Sequence, residues 1–447
     1  MKKHLYISII ALCSGIAANA APLRFEGTNA APIEIAPEAS SGLEAIYVLK
    51  SFAGVKAVYP STSAKWSVFS VAGAAHADPV ASEITSDGSA IELGGTPPHG
   101  ILIEDGGRQY CFWIINYADY ACQLNGVNIS NDEFDCDFLR FSIDGNIPPI
   151  YYYSINGRRL TLDRMVEVSY NTLAYNEESQ QYEQAAYSVT LPSINGTEHV
   201  AAPLCDTHVE IKADRFLSAW GEEQYARSAE YRAIAVAAQT HAEQQDRDVA
   251  NEQKPGGEGL GGSAPCTITF TAETSDAAVF TEWQFSRTPD FDIIENSFSD
   301  RVIEHTFVEN GTMYVRFACA NADGSCSFTS ETYEISIGES KLLCPNAFTP
   351  FTSPGVNDEW RVSYQSIIEF HCDIFNRWGA KMATLTDPSQ GWDGKHGGKN
   401  VGPGVYYYVI RARGADGKDY KLSGDINIVG SRERGYGEGS GNGGSAQ

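Results

Sequence analysis

The chain has 447 residues and a formal net charge of −25, with 57 Asp and Glu against 32 Lys and Arg. That balance repels phosphate backbones and anionic lipid and so excludes nucleic acid as a partner. The length points to three or four domains rather than one core.

Lys2 and Lys3 precede an apolar run from Leu5 to Ala17, and Ala18-Asn19-Ala20 follows. This is the layout of a secretory leader over residues 1–20. Leu12 stands where lipoprotein processing needs a small residue, so Cys13 leaves with the leader. The mature chain then carries −27 and nine of the ten cysteines. No other apolar run reaches the ~18 residues of a membrane helix, so no direct transmembrane insertion is expected. The cysteines lack C-x-x-C spacing and, in an exported chain, read as disulfide candidates, with an odd one left over.

The rest reads as all-β: tandem immunoglobulin-like/PKD-like β-sandwich domains, because short Val/Ile/Tyr/Phe/Thr runs alternate with Gly, Pro, Asn and Asp clusters. Residues 21–130 form the first sandwich. There "KAVYPSTSAKWSVFS" gives two strands with Trp66 as a core tryptophan, and "GILIEDGGRQYCFWIINYADYACQL" gives hairpins, the first turning at Asp105-Gly106-Gly107. Cys111 and Cys122 flank the Tyr117–Tyr120 turn and are candidates for a cross-strand bridge.

Residues 131–253 form the second sandwich, with turns at Asn156-Gly157 and Asn176–Gln180 and Tyr175 in the tryptophan's place. Its cysteines, Cys136 and Cys205, are candidates to pair. The carboxylates of "NDEFDCD" lack the ligand spacing of a calcium loop and read as a solvated turn. In "YARSAEYRAIAVAAQTHAEQQDRD" composition favours a helix, whereas alternation from Tyr231 to Ala238 favours a closing strand, which is preferred here.

Glycine and proline mark residues 254–265 as a linker. Residues 266–340 form an immunoglobulin-like or PKD-like domain with Trp283 in "EWQFSR" and a hairpin turned at Asp323-Gly324. Two bridges are open: Cys266 to Cys319, or Cys319 to Cys326.

In residues 341–430, Ile368, Phe370, Cys372 and Ile374 alternate with Glu369, His371 and Asp373, a half-buried strand. Cys344 and Cys372 are the remaining disulfide candidates. A second hairpin turns at Ala415-Asp416-Gly417 and directs Tyr420, Leu422, Ile426 and Ile428 to one side. The Gly-rich residues 431–447 read as a disordered tail.

The ordered motifs "PNAFTP", "GVNDEW", "IFNRWGAKM", "GWDGKHGG", "GPGVYYYVI" and "LSGDINIV" make this last fifth of the chain resemble the gliding-motility-associated C-terminal domain. That is the type B sorting domain of type IX secretion cargo in Bacteroidota. The resemblance implies a β-sandwich that carries a passenger across the outer membrane. It also implies partners, an outer-membrane β-barrel of the PorP/SprF type and type IX components, and a cell-surface location. Two departures stand out: Phe351-Thr352-Ser353-Pro354-Gly355 replaces the family's Asn-Gly-Asp-Gly turn, and the chain runs on past the last strand.

The candidate partner-binding residues are Asn376, Arg377, Trp378 and Gly379 of one turn, and Trp392, Asp393 and Gly394 of another. Two outcomes are open for them. Asn376 and Gly379 take positive φ while the indoles pack over the sandwich end with Arg377 stacked on one; or the aromatics and the arginine stay exposed as an anchor. No catalytic motif is present, the histidines are scattered singly, and Lys395 in "GWDGKHGGK" lacks the following Ser or Thr of a phosphate loop. The expectation is a non-enzyme with no catalytic residues, metal or cofactor. The alternatives are an accessory subunit of the type IX or gliding apparatus, and a carbohydrate-binding or hydrolytic surface passenger using the first half of the chain.

Overall fold

A computed structural model describes residues 23–94, 99–130, 135–249, 251–253, 259–350 and 355–430. The leader over 1–20, the tail over 431–447 and most of the Phe351–Gly355 departure lie outside the described residues. The chain divides into two compact units, Met1–Ala174 with Glu183–Ala233, and Tyr175–Tyr182 with Ile234–Gln447.

In the first unit, strands Gly100–Asp105 and Arg108–Asn116 meet at Gly106-Gly107, whose φ values of 58° and 79° make the two-residue turn that matches strand twist. They form the middle of a six-stranded sheet ordered Ile33–Ile35, Ala45–Leu49, Arg108–Asn116, Gly100–Asp105, Lys65–Phe69, Asp78–Val80. One face carries Tyr47, Trp66, Ile103 and Phe112 into a core shared with the sheet Arg24–Glu26, Lys56–Tyr59, Gly88–Glu92, Glu83–Thr85. The other face carries Ile46, Val48 and Trp113 into a core with Phe141, Val168, Ile211 and Phe216 of the second sandwich. Both faces of this sheet are covered, which is why all five residues of Ala45–Leu49 are buried and why its pairing with Arg108–Asn116 can be parallel.

The second sandwich stacks Gln123–Ile129, Phe138–Asn146 and Thr197–Ala201 with Gln181–Leu191, Val166–Asn176, Glu210–Ala213 and Gln224–Arg227. A one-turn helix, Arg215–Ala219, is capped by Asp214. Both expected turns form, at Gly157 (φ 78°) and before Gln181, where Gln180 has φ 55°. Tyr175 does not replace a core tryptophan. It is half-buried against Tyr182, while Tyr170, stacked on Tyr187 at 4.7 Å, is the buried ring.

The stretch after Arg227 is not a helix, and its strand lies further on than the alternation suggests. Residues 228–237 are irregular apart from two isolated bridges, Val127–Ser228 and Thr207–Tyr231, and Ala238–Gln244 is the strand. It belongs to the third sandwich, pairing with Cys266–Thr274 from Ala238↔Thr274 to Gln244↔Ile268. The third sandwich therefore begins before its first cysteine. Its sheets are Ala238–Gln244, Cys266–Thr274, Val302–Phe307, and Leu260–Gly262, Tyr333–Ile337, Gly311–Ala320, Phe280–Ser286, Asn296–Phe298. Trp283 lies at its centre beside Phe270 and Phe317.

The expected linker is also corrected. In its described part Leu260–Gly262 is a strand, parallel to Tyr333–Ile337, and Ser263 and Ala264 are buried. At Gly261, a glycine that resembles part of a flexible tether serves close approach instead. Gly261 has φ 110°, and a Cβ there would lie 2.3 Å from the Ser336 carbonyl oxygen.

The C-terminal sandwich has a five-stranded sheet, Ala347–Phe348, Asp419–Ile428, Gly404–Gly414, Ile367–Phe375, Lys381–Leu385, covered by the short pairs Lys341–Leu343 with Ser363–Gln365 and Trp360–Arg361 with Gly391–Trp392. Tyr420, Ile426 and Ile428 face its core and Leu422 packs against it, as the alternation indicates. A register shift between Ile367 and Glu369 moves the start of the neighbouring strand out of phase. Ile367 is buried and Ile368 is turned outward, against expectation, before Phe370, Cys372 and Ile374 resume the core face.

None of the disulfide pairings expected from the sequence forms. Cys111 and Cys122 are buried thiols. Both edges of strand Arg108–Asn116 are taken, by Gly100–Asp105 and Ala45–Leu49, and the strand after Cys122, Gln123–Ile129, joins another sheet, so Cys111 and Cys122 are not cross-strand partners. Cys136 is disulfide-bonded, but Cys205 is a buried thiol, so these two are not joined. Cys266 and Cys319 keep their thiols, which rules out both bridges weighed for the third sandwich, while Cys326 is disulfide-bonded. Cys344 and Cys372 are thiols too, and burial pushes Cys372 up to about 12.

Candidate functional site

The site is the end of the C-terminal sandwich where strand Ile367–Phe375 turns into Lys381–Leu385. Asn376 closes that turn with its side chain: Oδ1 accepts N–H bonds from Trp378 and Ala380, both at 3.0 Å, and the Asn376 amide donates to the Ala380 carbonyl at 2.9 Å. Only Gly379 takes a left-handed conformation, with φ 79°; the positive φ expected at Asn376 is absent because the side chain does that work. A turn closed from inside points the next residue outward. Trp378 is 76 % exposed, and the guanidinium carbon of Arg377 lies 4.2 Å from its ring centroid.

The second turn behaves oppositely. Trp392 is 3 % exposed, pairs with Trp360 across a two-residue ladder, packs on Phe348 and Tyr406 with centroids 5.6 and 5.2 Å away, and donates its Nε1–H to the Lys395 carbonyl at 3.0 Å. Asp393 accepts from the Lys395 amide at 3.0 Å and from its Nζ at 2.7 Å, and Gly394 supplies φ 73°. Lys395–His396 then pairs with Lys399–Asn400 around Gly397-Gly398, a small hairpin rather than a phosphate loop. The two expected outcomes are thus divided between the two motifs. Trp392, Asp393 and Gly394 build core and turn, while Arg377 and Trp378 stand exposed.

The two turns approach one another through Tyr406. Burial raises its phenol above the ordinary value, and the nearby Arg377 charge acts the other way. On the outer face of the sheet, Val405, Tyr407 and Val409 are exposed in alternation, and Tyr407 lies opposite Phe375, the residue before the turn. The sequence reading missed this stripe, although "GVYYYVI" carries its signal. If Tyr406, Tyr408 and Ile410 face the core, the intervening residues face out. Asp373 lies in the same face, held to about 2 by hydrogen bonds from Thr384 at 2.6 Å and Lys381 at 2.9 Å, with burial opposing. An exposed indole and guanidinium beside an apolar stripe are the residue types enriched at protein interfaces. Among the described residues no group of three or more His, Cys, Asp or Glu converges to hold a metal ion, and no helix is long and apolar enough to cross a membrane.

These residues lie in a recognisable secretion address. Residues 342–428 match the CHU_C type IX secretion signal domain, so this sandwich is a type IX secretion signal, and the chain bears the mark of a type IX cargo addressed to the cell surface or outer membrane. Residues 128–228 match a fibronectin type III domain, which agrees with the immunoglobulin-like sandwich seen there. No curated protein matches the chain. Among solved structures, the chain is 12 % identical to a tetra-tandem repeat from the extending region of a large adhesion protein, covering 84 % of this chain and 95 % of that one at a TM-score of 0.20. It is also 12 % identical to the FN1–FN3 domains of chicken CNTN1, covering 68 % and 97 % at 0.23. With dimeric latent PorU from Porphyromonas gingivalis it shares 11 % identity, covering 72 % and 35 % at 0.16. At TM-scores this low none of the three bears on function.

Proposed function

We propose that the chain is a non-enzymatic type IX cargo: its leader takes it across the inner membrane of a Bacteroidota cell, its C-terminal sandwich takes it across the outer membrane, and that sandwich then docks on a barrel of the PorP/SprF type at the cell surface. The observation supporting the docking step is the exposed Trp378–Arg377 pair at the end of the Val405, Tyr407, Val409 stripe, on a domain that matches a secretion signal. Trp and Arg dominate interface hot spots because they combine large buried area with directed hydrogen bonds. The sandwiches ahead of the signal serve as a spacer or adhesive surface.

Removing residues 342–447 is expected to leave the protein in the periplasm, measured by protease accessibility in intact cells. Continued surface display overturns the export reading. In the full chain, Trp378→Ala is expected to keep the fold, since the ring packs on no core residue, yet to weaken recovery of the barrel by roughly tenfold or more in cross-linked outer membranes, the loss typical of a hot-spot residue. Undiminished recovery overturns the docking face and leaves export standing. Equal recovery of inner-membrane secretion components would identify an accessory subunit instead.

A further inference from the structure

The outer face of the third sandwich holds a groove of about 500 Å³ that nothing in the secretion address uses. It arises from the register of two strands. Phe280 lies opposite Ala320 and Glu282 opposite Ala318, so these four share the face turned away from Trp283, Phe317 and Cys319 in the core. Thr329 and Ser327 lie opposite Ala318 and Ala320 on one side, and Ser297 and Ser299 come from the edge strand and the residues after it on the other. Two alanines at positions where a strand usually carries branched side chains leave the floor hollow. Hydroxyls form its walls.

Phe280 is 59 % exposed at the end of this hollow, an aromatic ring with an open face above small side chains. Glu282 accepts a hydrogen bond from Gln284 at 2.7 Å, and its carboxylate has further lone pairs for donors in the groove. No cation lines the groove among the described residues. The nearby Arg316 is held by Gln284 at 2.8 Å and by the ring of Phe291 at 4.0 Å. A ligand that fits must therefore offer an apolar face to Phe280 and the alanine methyls, several hydroxyls to Glu282 and the Ser/Thr walls, and no negative charge. An extended peptide is disfavoured, because the backbone N–H and C=O groups of the floor are already used in the ladder.

We propose that this groove binds a neutral sugar ring, as one unit of a glycan chain. Sugars meet all three demands: their C–H faces stack on aromatic rings and their hydroxyls serve as donors and acceptors. The site lies in the third sandwich, not in the first half of the chain, and is independent of the export reading. An open groove of this kind is expected to bind a disaccharide with Kd of about 1 mM, the range of small ligands on shallow sites.

Saturation-transfer NMR on the purified full chain tests this, with cellobiose, maltose, lactose, mannobiose and chitobiose as neutral probes and sialyllactose and galacturonate as charged ones. At least one neutral disaccharide is expected to receive magnetisation, and Phe280→Ala, Glu282→Gln and Ala318→Leu are each expected to weaken its binding at least fivefold. If Ala318→Leu lowers the melting temperature, the two exposed or half-buried positions decide alone. No transfer to any neutral probe, stronger transfer to the charged probes, or undiminished binding in Phe280→Ala and Glu282→Gln overturns the site.

Discussion

At the scale of single residues, Arg164 decides more than its place in the sequence suggests. Its side chain is fully buried, with Nε donating to Asp214 Oδ2 at 2.6 Å, Nη1 to the carbonyls of Tyr120 and Pro148 at 2.9 and 2.7 Å, and Nη2 to the Tyr117 hydroxyl at 2.9 Å. Asp214 Oδ1 meanwhile accepts from the amides of Phe216 and Leu217, so one carboxylate caps the helix and pairs the guanidinium. Removing one partner of such a pair leaves a buried charge uncompensated. Arg164→Ala is expected to destabilise the first unit by about 3–5 kcal/mol in urea denaturation, and Arg164→Lys to rescue little, because a point ammonium lacks the planar fork that reaches four acceptors. Asp373 sets a pH dependence. Its folded value of about 2 lies below the ~3.9 of an unfolded Asp, so the stability it contributes is present above pH ~4 and lost as pH falls towards 2. Asp373→Asn is expected to flatten the acid limb of the urea midpoint against pH. An unchanged slope would mean that Thr384 and Lys381 do not hold the charged form.

At the scale of elements, alternation places a strand well when one face meets one core, and fails where a bulge or a second covering layer intervenes. Asp419–Ile428 follows its pattern throughout. In Ile367–Phe375 the register shift after Ile367 reverses the first positions, and nothing in "SIIEF" distinguishes Ile367 from Ile368 as the buried one. Composition misleads in a different way around Gly261. Glycine signals both a chain that needs freedom and a chain that needs proximity, and only the Ser336 carbonyl, 2.3 Å from where a Cβ would stand, separates the two. Gly261→Ala is accordingly expected to lower stability by about 1–3 kcal/mol, through the strained φ and the displaced strand pairing. Gly259→Ala, with open space around it, is expected to change little. Equal melting temperatures for the two variants would show that Leu260–Gly262 is not held as a strand.

At the scale of the molecule, the secretion signal is not a free tag on a tether. Asn251 Nδ2 donates to the carbonyls of Val362 and Pro388, both at 2.8 Å; the buried Glu252 bridges to Tyr364 and accepts from Arg247 at 2.5 Å; and the Ser366 amide donates to Ser263 Oγ at 2.8 Å. The hairpin turn at Ala415 enters the core of the third sandwich, and Asp416 accepts from Ser340 Oγ at 2.7 Å. The third sandwich and the signal are therefore expected to unfold together. Hydrogen exchange on the full chain should show protected amides of 266–337 and 367–428 lost at one denaturant midpoint, and Asn251→Ala should lower both. Separate midpoints, with the signal unaffected by Asn251→Ala, would restore an autonomous signal domain. By itself the sequence determined the all-β class, the hairpins at Gly106-Gly107 and Ala415–Gly417, and the kinship of residues 342–428, because turn chemistry, alternation and ordered motifs are local properties of the chain. Only the tertiary structure decided that Trp392 is core while Trp378 is surface, that Leu260–Gly262 of the apparent linker is a strand, and that the third sandwich and the signal share an interface, because burial depends on which distant backbone comes to lie alongside.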